Sequence, residues 1–405
     1  MKDTPKGMRL HISLFGRRNV GKSSLLNALT RQQVSIVSDI PGTTTDPVEK
    51  PMELLPLGPV LFIDTAGIDD TGTLGEMRAE KTRQVFERTD LGVLVTAAGE
   101  WSEFEDAILN ELEKRKTPVI VVFNKTDIAR PAGEIEQKLK ERAIPAVRTA
   151  AAANAEQGIL ELKEAIIRTA PEEFMETPTI LGDLMPSGEI VVMVVPIDIE
   201  APRGRLILPQ VQSIRDALDN NSCALMVKES ELRAALDKLK NPPALVVTDS
   251  QVFSRVAVEV PPEVPLTSFS ILFARLKGNL GEFVDGVRAI DKLASGSRVL
   301  VLESCAHHPI GEDIGRVKIP NWIRKYTGLD MEFVHMQGHD FPDDLKQYQM
   351  VVHCGACMLN RREVMSRILR CREAGVPVTN YGVAITYSLG VLDRALSPFS
   401  FYDKK

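Results

Sequence analysis

At 405 residues, with 44% hydrophobic and 26% charged residues, the chain has ordinary globular composition but is too long for one core, so two or three domains are expected. A net charge of −6 without a run of basic residues argues against nucleic acid as the main partner, because a phosphate backbone demands a Lys/Arg face. Five cysteines at this length exclude a disulfide scaffold. Met1 to Leu10 carries no apolar signal-peptide core, and the most apolar stretch, Ile190 to Val195, is far too short to span a bilayer. The expectation is a soluble cytoplasmic chain, with no membrane partner and with reduced thiols free to bind metal.

Arg9 to Phe15 alternates like a strand and runs into Gly16-Arg17-Arg18-Asn19-Val20-Gly21-Lys22-Ser23, followed by a helical pattern with Leu25, Leu26 and Leu29 on one face. Strand, glycine loop and helix is the context of a phosphate-binding P-loop. Its backbone N–H groups, from Gly16 to Ser24, face phosphates. Lys22 would reach the β- and γ-phosphates, and the Ser23 hydroxyl would hold Mg²⁺. Gly42 to Asp46 is a candidate switch, with Thr44 closing over Mg²⁺ and the γ-phosphate. The strand Val60 to Ile63 ends in Asp64-Thr65-Ala66-Gly67; Asp64 would hold Mg²⁺ through water, and the Gly67 N–H would sense the γ-phosphate. The strand Val119 to Phe123 ends in Asn124-Lys125-Thr126-Asp127. A carboxylate there accepts both guanine N1–H and N2–H, a donor pair adenine lacks, so GTP or GDP is the expected ligand.

These motifs, over residues 8–170, resemble the translation-factor-type GTPases, in the subgroup of Era, EngA and the tRNA-modifying TrmE. Position 68 is Ile68, where Ras-like switches carry a water-orienting glutamine. Asn19 matches the asparagine that holds K⁺ in TrmE-like members, so the resemblance implies K⁺ beside the phosphates in place of an arginine finger. The guanine loop departs from the usual Ser-Ala-Lys and reads Ala152-Ala153-Asn154, which suffices if the Ala153 N–H meets guanine O6. With neither glutamine nor arginine finger in cis, turnover is expected to be slow, on the order of 10⁻⁴–10⁻³ s⁻¹.

Pro171 and Pro178 mark a boundary. Beyond them come a strand over Glu189 to Val195, a helical stripe of Leu208, Val211, Ile214, Ala217 and Leu218, a strand over Cys223 to Val227, a helix over Glu231 to Lys240 and a strand over Ala244 to Thr248. This βαβ pattern predicts a small parallel α/β domain without a catalytic constellation. Cys223 opens an apolar run and reads as a core cysteine.

Pro261, Pro262 and Pro265 mark a second boundary. The segment Phe269 to Leu293 is helical in pattern, and Arg298 to Leu302 is a buried strand with Cys305-Ala306-His307-His308 three residues beyond. A helix over Arg316 to Tyr326 and a strand over Met331 to His335 follow. The strand Tyr348 to Val352 runs directly into His353-Cys354-Gly355-Ala356-Cys357, and a helix with Val364, Ile368 and Cys371 on its apolar face follows. A strand at Pro377 to Thr379 and a terminal helix around Leu389 close the pattern. Both cysteine patches lie past the C-terminal ends of strands, where open α/β sheets bind ligands. Soft ligands packed this way mark a metal or iron–sulfur site. Three cysteines are one short of the four usual for a cubane, so either a histidine, with His307 and His353 nearest, completes the set or one iron stays open. His353 could instead stand behind the ligands. Cys371 reads as core.

The pattern Cys305-x-His307 … His353-Cys354-x-x-Cys357, after a TrmE-like GTPase and a linking domain, resembles the HydF family, the GTPases of FeFe-hydrogenase maturation, over the full length. The resemblance implies a homodimeric scaffold that binds a 4Fe–4S cluster through Cys305, Cys354 and Cys357. It also implies delivery of a di-iron precursor to the FeFe-hydrogenase apoprotein, alongside the radical-SAM maturases of that pathway. The expected architecture is α/β in three domains: a P-loop GTPase over residues 1–172, an α/β connector and dimerisation domain over 173–265, and a parallel-sheet iron–sulfur domain over 266–405. Two alternatives stand beside it. Cys305, His307, Cys354 and Cys357 could hold a structural zinc in a regulatory binding protein, or the chain could be an RNA-associated GTPase, against which the acidic balance weighs.

Overall fold

A computed structural model describes residues 4–30, 47–65, 75–151, 156–174, 179–197, 206–304 and 313–399, with residues 75–81 described through their backbone. The chain divides into two compact units, Met1–Thr177 and Pro178–Lys405.

The first unit runs β1 (Leu10–Phe15), α1 (Lys22–Thr30), β2 (Val48–Leu54), β3 (Gly58–Asp64), α2 (Gly75–Arg88), β4 (Leu91–Ala97), α3 (Glu103–Lys114), β5 (Val119–Asn124), α4 (Gly133–Glu141), β6 (Ala146–Arg148) and α5 (Glu156–Thr169). The strands form one sheet in the order β2-β3-β1-β4-β5-β6. Strand β2 is antiparallel to β3 and the other pairs are parallel. Every residue of β1, β4 and β5 is buried, as expected for a parallel sheet covered on both faces. Alternation splits the core in two. Ile12, Leu14, Val93 and Val95 pack with Leu25, Leu26, Leu162 and Ile166 of α1 and α5. Phe15, Leu94, Val121 and Phe123 pack with Leu109, Leu112 and Leu139 of α3 and α4.

The second unit runs β7 (Ile190–Val194), α6 (Leu208–Asp219), β8 (Cys223–Val227), α7 (Leu232–Leu236), β9 (Leu245–Thr248), α8 (Phe253–Glu259), β10 (Leu266–Ser268), α9 (Phe269–Lys277), α10 (Leu280–Val287), β11 (Arg298–Glu303), α11 (Ile319–Thr327), β12 (Glu332–Gln337), β13 (Met350–His353), α12 (Arg361–Ala374), β14 (Val378–Asn380), α13 (Tyr381–Ser388) and α14 (Leu392–Leu396). It holds two four-stranded sheets, ordered β10-β9-β7-β8 and β12-β11-β13-β14, with every pair parallel.

Both sheets lie in the one compact unit, Pro178–Lys405. The proline-marked boundary at residues 261–265 is not a free linker. The Arg394 guanidinium of α14 donates to the carbonyls of Pro261 (2.8 Å), Pro262 (2.9 Å) and Val264 (2.7 Å). The following β10 pairs with β9, so the first sheet continues past position 265. The chain's entry into the unit is also tied down: the Asp216 carboxylate of α6 accepts the N–H groups of Ile180, Leu181 and Gly182 at 2.8–2.9 Å.

Two expectations about the first sheet are corrected. Cys223 is exposed rather than core, because β8 is an edge strand. The apolar stripe of α6 does not all face inward: Gln210, Ser213, Asp216 and Ala217 are buried, whereas Val211 is 47% and Leu218 57% exposed. The buried Asp216 turns the helix, since a carboxylate accepting three N–H groups cannot face outward. Cys371, by contrast, is fully buried on α12 with Val364 and Ile368.

Candidate functional sites

The phosphate loop leaves β1 from the middle of its sheet and enters α1. A Cβ on Gly16 would strike the Val95 carbonyl, and one on Gly21 would strike the Asn124 side-chain amide. Both glycines also have positive φ, +143° and +97°, so no other residue fits at either place. Asn19 takes the left-handed conformation at φ +62°, which asparagine tolerates better than most residues. The buried Lys22 ammonium lies folded across the loop, donating to the carbonyls of Gly16 (2.6 Å) and Arg17 (2.7 Å). Ser23 Oγ donates to Asp64 Oδ2 at 2.8 Å. Burial pushes the Asp64 carboxyl pKa above its usual value, against the lowering effects of Ser23 and Lys22. Two hard oxygens side by side, with a buried carboxylate that gains from a cation, fit the chemistry of Mg²⁺. Ser24 is half-buried in the first turn of α1.

Asn124 ties the loop to the base-binding side. Its Nδ2 donates to the Val20 carbonyl (2.9 Å), while its Oδ1 accepts from Thr149 Oγ (3.0 Å) and the Ala151 N–H (3.1 Å). Lys125 is left-handed at φ +60°, and Asp127 is exposed at the end of this turn. Thr44, Gly67, Ile68 and Ala153 lie outside the described residues. One feature escaped sequence reasoning. Arg17 pairs with the fully buried Glu105 of α3 at 3.0 Å and also contacts Ser102. The Ser-x-x-Glu capping box at Ser102 and Glu105 was the available signal.

The thiol site is built by β11 and β13, adjacent strands in the middle of their sheet. Cys354 prolongs β13, its N–H donating to the Leu302 carbonyl at 3.0 Å. Its buried Sγ accepts the N–H groups of Ser304 (3.1 Å) and Ala356 (3.4 Å). Ala356 is left-handed, φ +52°, and this tight turn brings Cys357 back beside Cys354. Burial pushes the half-buried Cys357 thiol up to about 11; the charge of Cys354 adds to this, and the Lys277 ammonium opposes it. Burial alone dominates at Cys371, pushed up to about 12, as befits an inert core thiol.

His353 is buried, with both ring nitrogens engaged. The Arg367 guanidinium, which can only donate, lies 3.3 Å from Nε2. Nε2 is therefore the acceptor, and Nδ1–H donates to the Cys354 carbonyl at 2.9 Å. Arg367 also pairs with Glu363 (2.9 Å), which in turn contacts His339 Nδ1 at 3.0 Å. Both ring nitrogens thus meet protein groups, an arrangement that fits a histidine standing behind the cysteine loop. Asn380 Nδ2 gives the same Cys354 carbonyl a second hydrogen bond, at 3.2 Å. Cys305, His307 and His308 lie outside the described residues. Among the described residues, no three of His, Cys, Asp and Glu are placed to hold a metal ion. Two thiols, one already receiving two backbone N–H bonds, nevertheless fit half or more of a thiolate metal site.

No helix among the described residues is long and apolar enough to cross a membrane. Residues 11–125 match the family model of 50S ribosome-binding GTPases. The tRNA modification GTPase MnmE of Synechococcus sp. (strain JA-3-3Ab) is 42% identical over 157 residues, covering 38% of this chain and 32% of that protein. GTPase Der of Wolinella succinogenes is 37% identical over 147 residues, covering 35% of this chain and 31% of its own. The chain thus spans about a third of the length of these curated relatives. Among solved structures, Era of Aquifex aeolicus bound to GDP and AlF₄⁻ is 23% identical and covers 54% of this chain and 93% of its own, with a TM-score of 0.36. Residues 180–278 match the Hydrogen maturase F dimerization domain and residues 281–398 the Hydrogen maturase F tetramerization domain. These two models together cover more than half of the chain, and with the GTPase match before them they show that it belongs to the HydF-type hydrogenase maturase GTPases.

Proposed function

We propose that this maturase is a slow, K⁺-stimulated GTPase switch joined to a 4Fe–4S scaffold that assembles or delivers the di-iron precursor of FeFe-hydrogenase. One observation carries the iron–sulfur half: the Ser304 N–H lies 3.1 Å from Cys354 Sγ, and Cys305 is the next residue in the sequence. Consecutive Cα atoms are about 3.8 Å apart, so the sequence puts Cys305 one residue from a backbone group that touches the Cys354 sulfur. Cys305, Cys354 and Cys357 would ligate iron, leaving one iron position for His307, solvent or cargo. A cluster there would supply a thiolate-bound, redox-active iron. The chain's own part is to hold the sulfurs, with Ser304 and Ala356 N–H groups on Cys354 and with His353 and Asn380 on its carbonyl.

In the GTPase unit, Lys22 would bind the β- and γ-phosphates. Ser23, Thr44 and Asp64 would hold Mg²⁺, and Asn19 K⁺. Gly16, Gly21, Ser24 and Gly67 would offer backbone N–H groups to phosphate, while Asn124, Lys125, Asp127 and Ala153 would shape the guanine pocket. GTP state would then bias acceptance or release of cargo through the γ-phosphate-dependent switch.

The two maturase domain matches point to self-association. The edge strand β8 and the outward Val211 and Leu218 of α6 suit a homodimer; fully burying each such side chain contributes about 1.5–3 kcal/mol. The hydrogenase apoprotein and the radical-SAM maturases would be the further partners, in the cytoplasm.

Anaerobic reconstitution with iron and sulfide tests the proposal. The expected result is broad visible absorption, near four irons and four sulfides per chain, and an EPR signal on reduction. Tight uptake of one zinc with none of these features would overturn it.

A further inference from the structure

A buried lysine is costly unless its charge is used. Lys277, the last residue of α9, is 3% exposed. Its Nζ donates to the Leu359 carbonyl at 3.1 Å, two residues beyond Cys357. The end of α9 is held in place: Arg361, the first residue of α12, donates to the carbonyls of Leu276 (2.7 Å) and Gly278 (3.1 Å), on either side of Lys277. The backbone that carries Lys277 is therefore fixed beside the segment that follows the cysteine loop. The carbonyl that its ammonium meets lies in the segment that joins Cys357 to α12. Cys354 Sγ receives two N–H groups.

We propose that Lys277 is the charge-setting residue of the centre held at Cys354 and Cys357, favouring its more negative state and so raising its reduction potential. The inference rests on the iron–sulfur reading above. One electron enters from an external low-potential donor, no proton moves, and the ammonium stabilises the added negative charge. Lys277 touches the loop rather than the reacting atoms and is a positioning residue in that electrostatic sense.

The full chain, reconstituted anaerobically, is titrated with dithionite and followed by EPR, as wild type and as Lys277→Met, Lys277→Gln and Lys277→Arg. Two neutral replacements guard against one of them failing to fold. The expected result is unchanged iron and sulfide content, with the reduced-to-oxidised ratio at the wild-type midpoint falling about tenfold in Met and Gln, a negative shift of about 59 mV. Arg restores the wild-type value. An unchanged midpoint in both neutral variants, or no restoration by Arg, overturns the inference. If wild-type protein binds no iron, the iron–sulfur reading fails by itself and the inference falls with it; iron bound with an unchanged midpoint overturns the inference alone.

Discussion

The phosphate loop and the cysteine loop occupy equivalent places. Each leaves the C-terminal end of a central strand in a parallel sheet, β1 in one case and β13 in the other, and each leads into a helix. Each turns on a left-handed non-glycine residue, Asn19 and Ala356. Their electrostatics are arranged differently. The phosphate loop supplies its own cation, Lys22, held by the loop's own carbonyls. The cysteine loop has none within it; its backbone N–H groups turn to sulfur, and the ammonium arrives from α9, eighty positions earlier. One architecture can thus serve a hard anion or soft thiolates, depending on where the charge is mounted.

If the two loops are independent machines, substitutions should separate them. Lys22→Ala should reduce GTP hydrolysis by about 10³-fold or more, in line with losing a clamp on the transferred phosphoryl group, yet leave iron content at the wild-type level. Loss of iron together with hydrolysis would show that the two sites are not separable. Cys354→Ser should do the reverse, lowering bound iron severalfold with GTP hydrolysis retained. Cys371→Ser, in the core of the same unit, should keep its iron and lose only stability, by about 1–3 kcal/mol for a buried hydroxyl; iron loss there would break the distinction between ligand and core thiols.

Asp64 offers a pH test. Its folded pKa is raised above the ordinary 3.8, first by burial. A raised carboxyl pKa means that stability is fullest below the unfolded value and falls as pH rises through the folded one. Asp64→Asn should therefore be more stable than wild type at pH 7 without nucleotide or Mg²⁺, with the gap closing near pH 4, while Mg²⁺-dependent hydrolysis is lost. Equal denaturation midpoints at pH 7 would show that the carboxylate is not strained. The smallest effect is expected at Asp183, where Arg275 overcomes burial and holds the carboxyl below its usual value. Its contribution is present above the unfolded pKa and fades as pH falls through the lowered folded one. This half-exposed pair should be worth less than about 1 kcal/mol, read as a small denaturation shift in Arg275→Met that disappears in acid.

Much was legible from contiguous residues. The glycine–lysine–serine loop, the apolar strands and the placement of Cys354 and Cys357 past a strand end depend on local pattern, and β1, β5, β11 and β13 lie within a residue or two of where alternation and burial predict them. At residues 261–265 proline marks a turn but says nothing about what anchors it; Arg394, about 130 positions later, does so. Cys223 was misread because an apolar run looks the same in an edge strand as in a central one.

By itself, then, the sequence determined the groups available at each loop: a glycine-rich turn with a lysine, and two thiols three positions apart. Only the tertiary structure decided how those groups are used. Arg367, fourteen residues away, meets the Nε2 nitrogen of His353. Lys277 places a charge beside Cys357 from another helix. Asp216 turns the apolar stripe of α6 outward. In each case the deciding partner is distant in sequence or is set by a buried polar group, whose need for a hydrogen bond outweighs local periodicity.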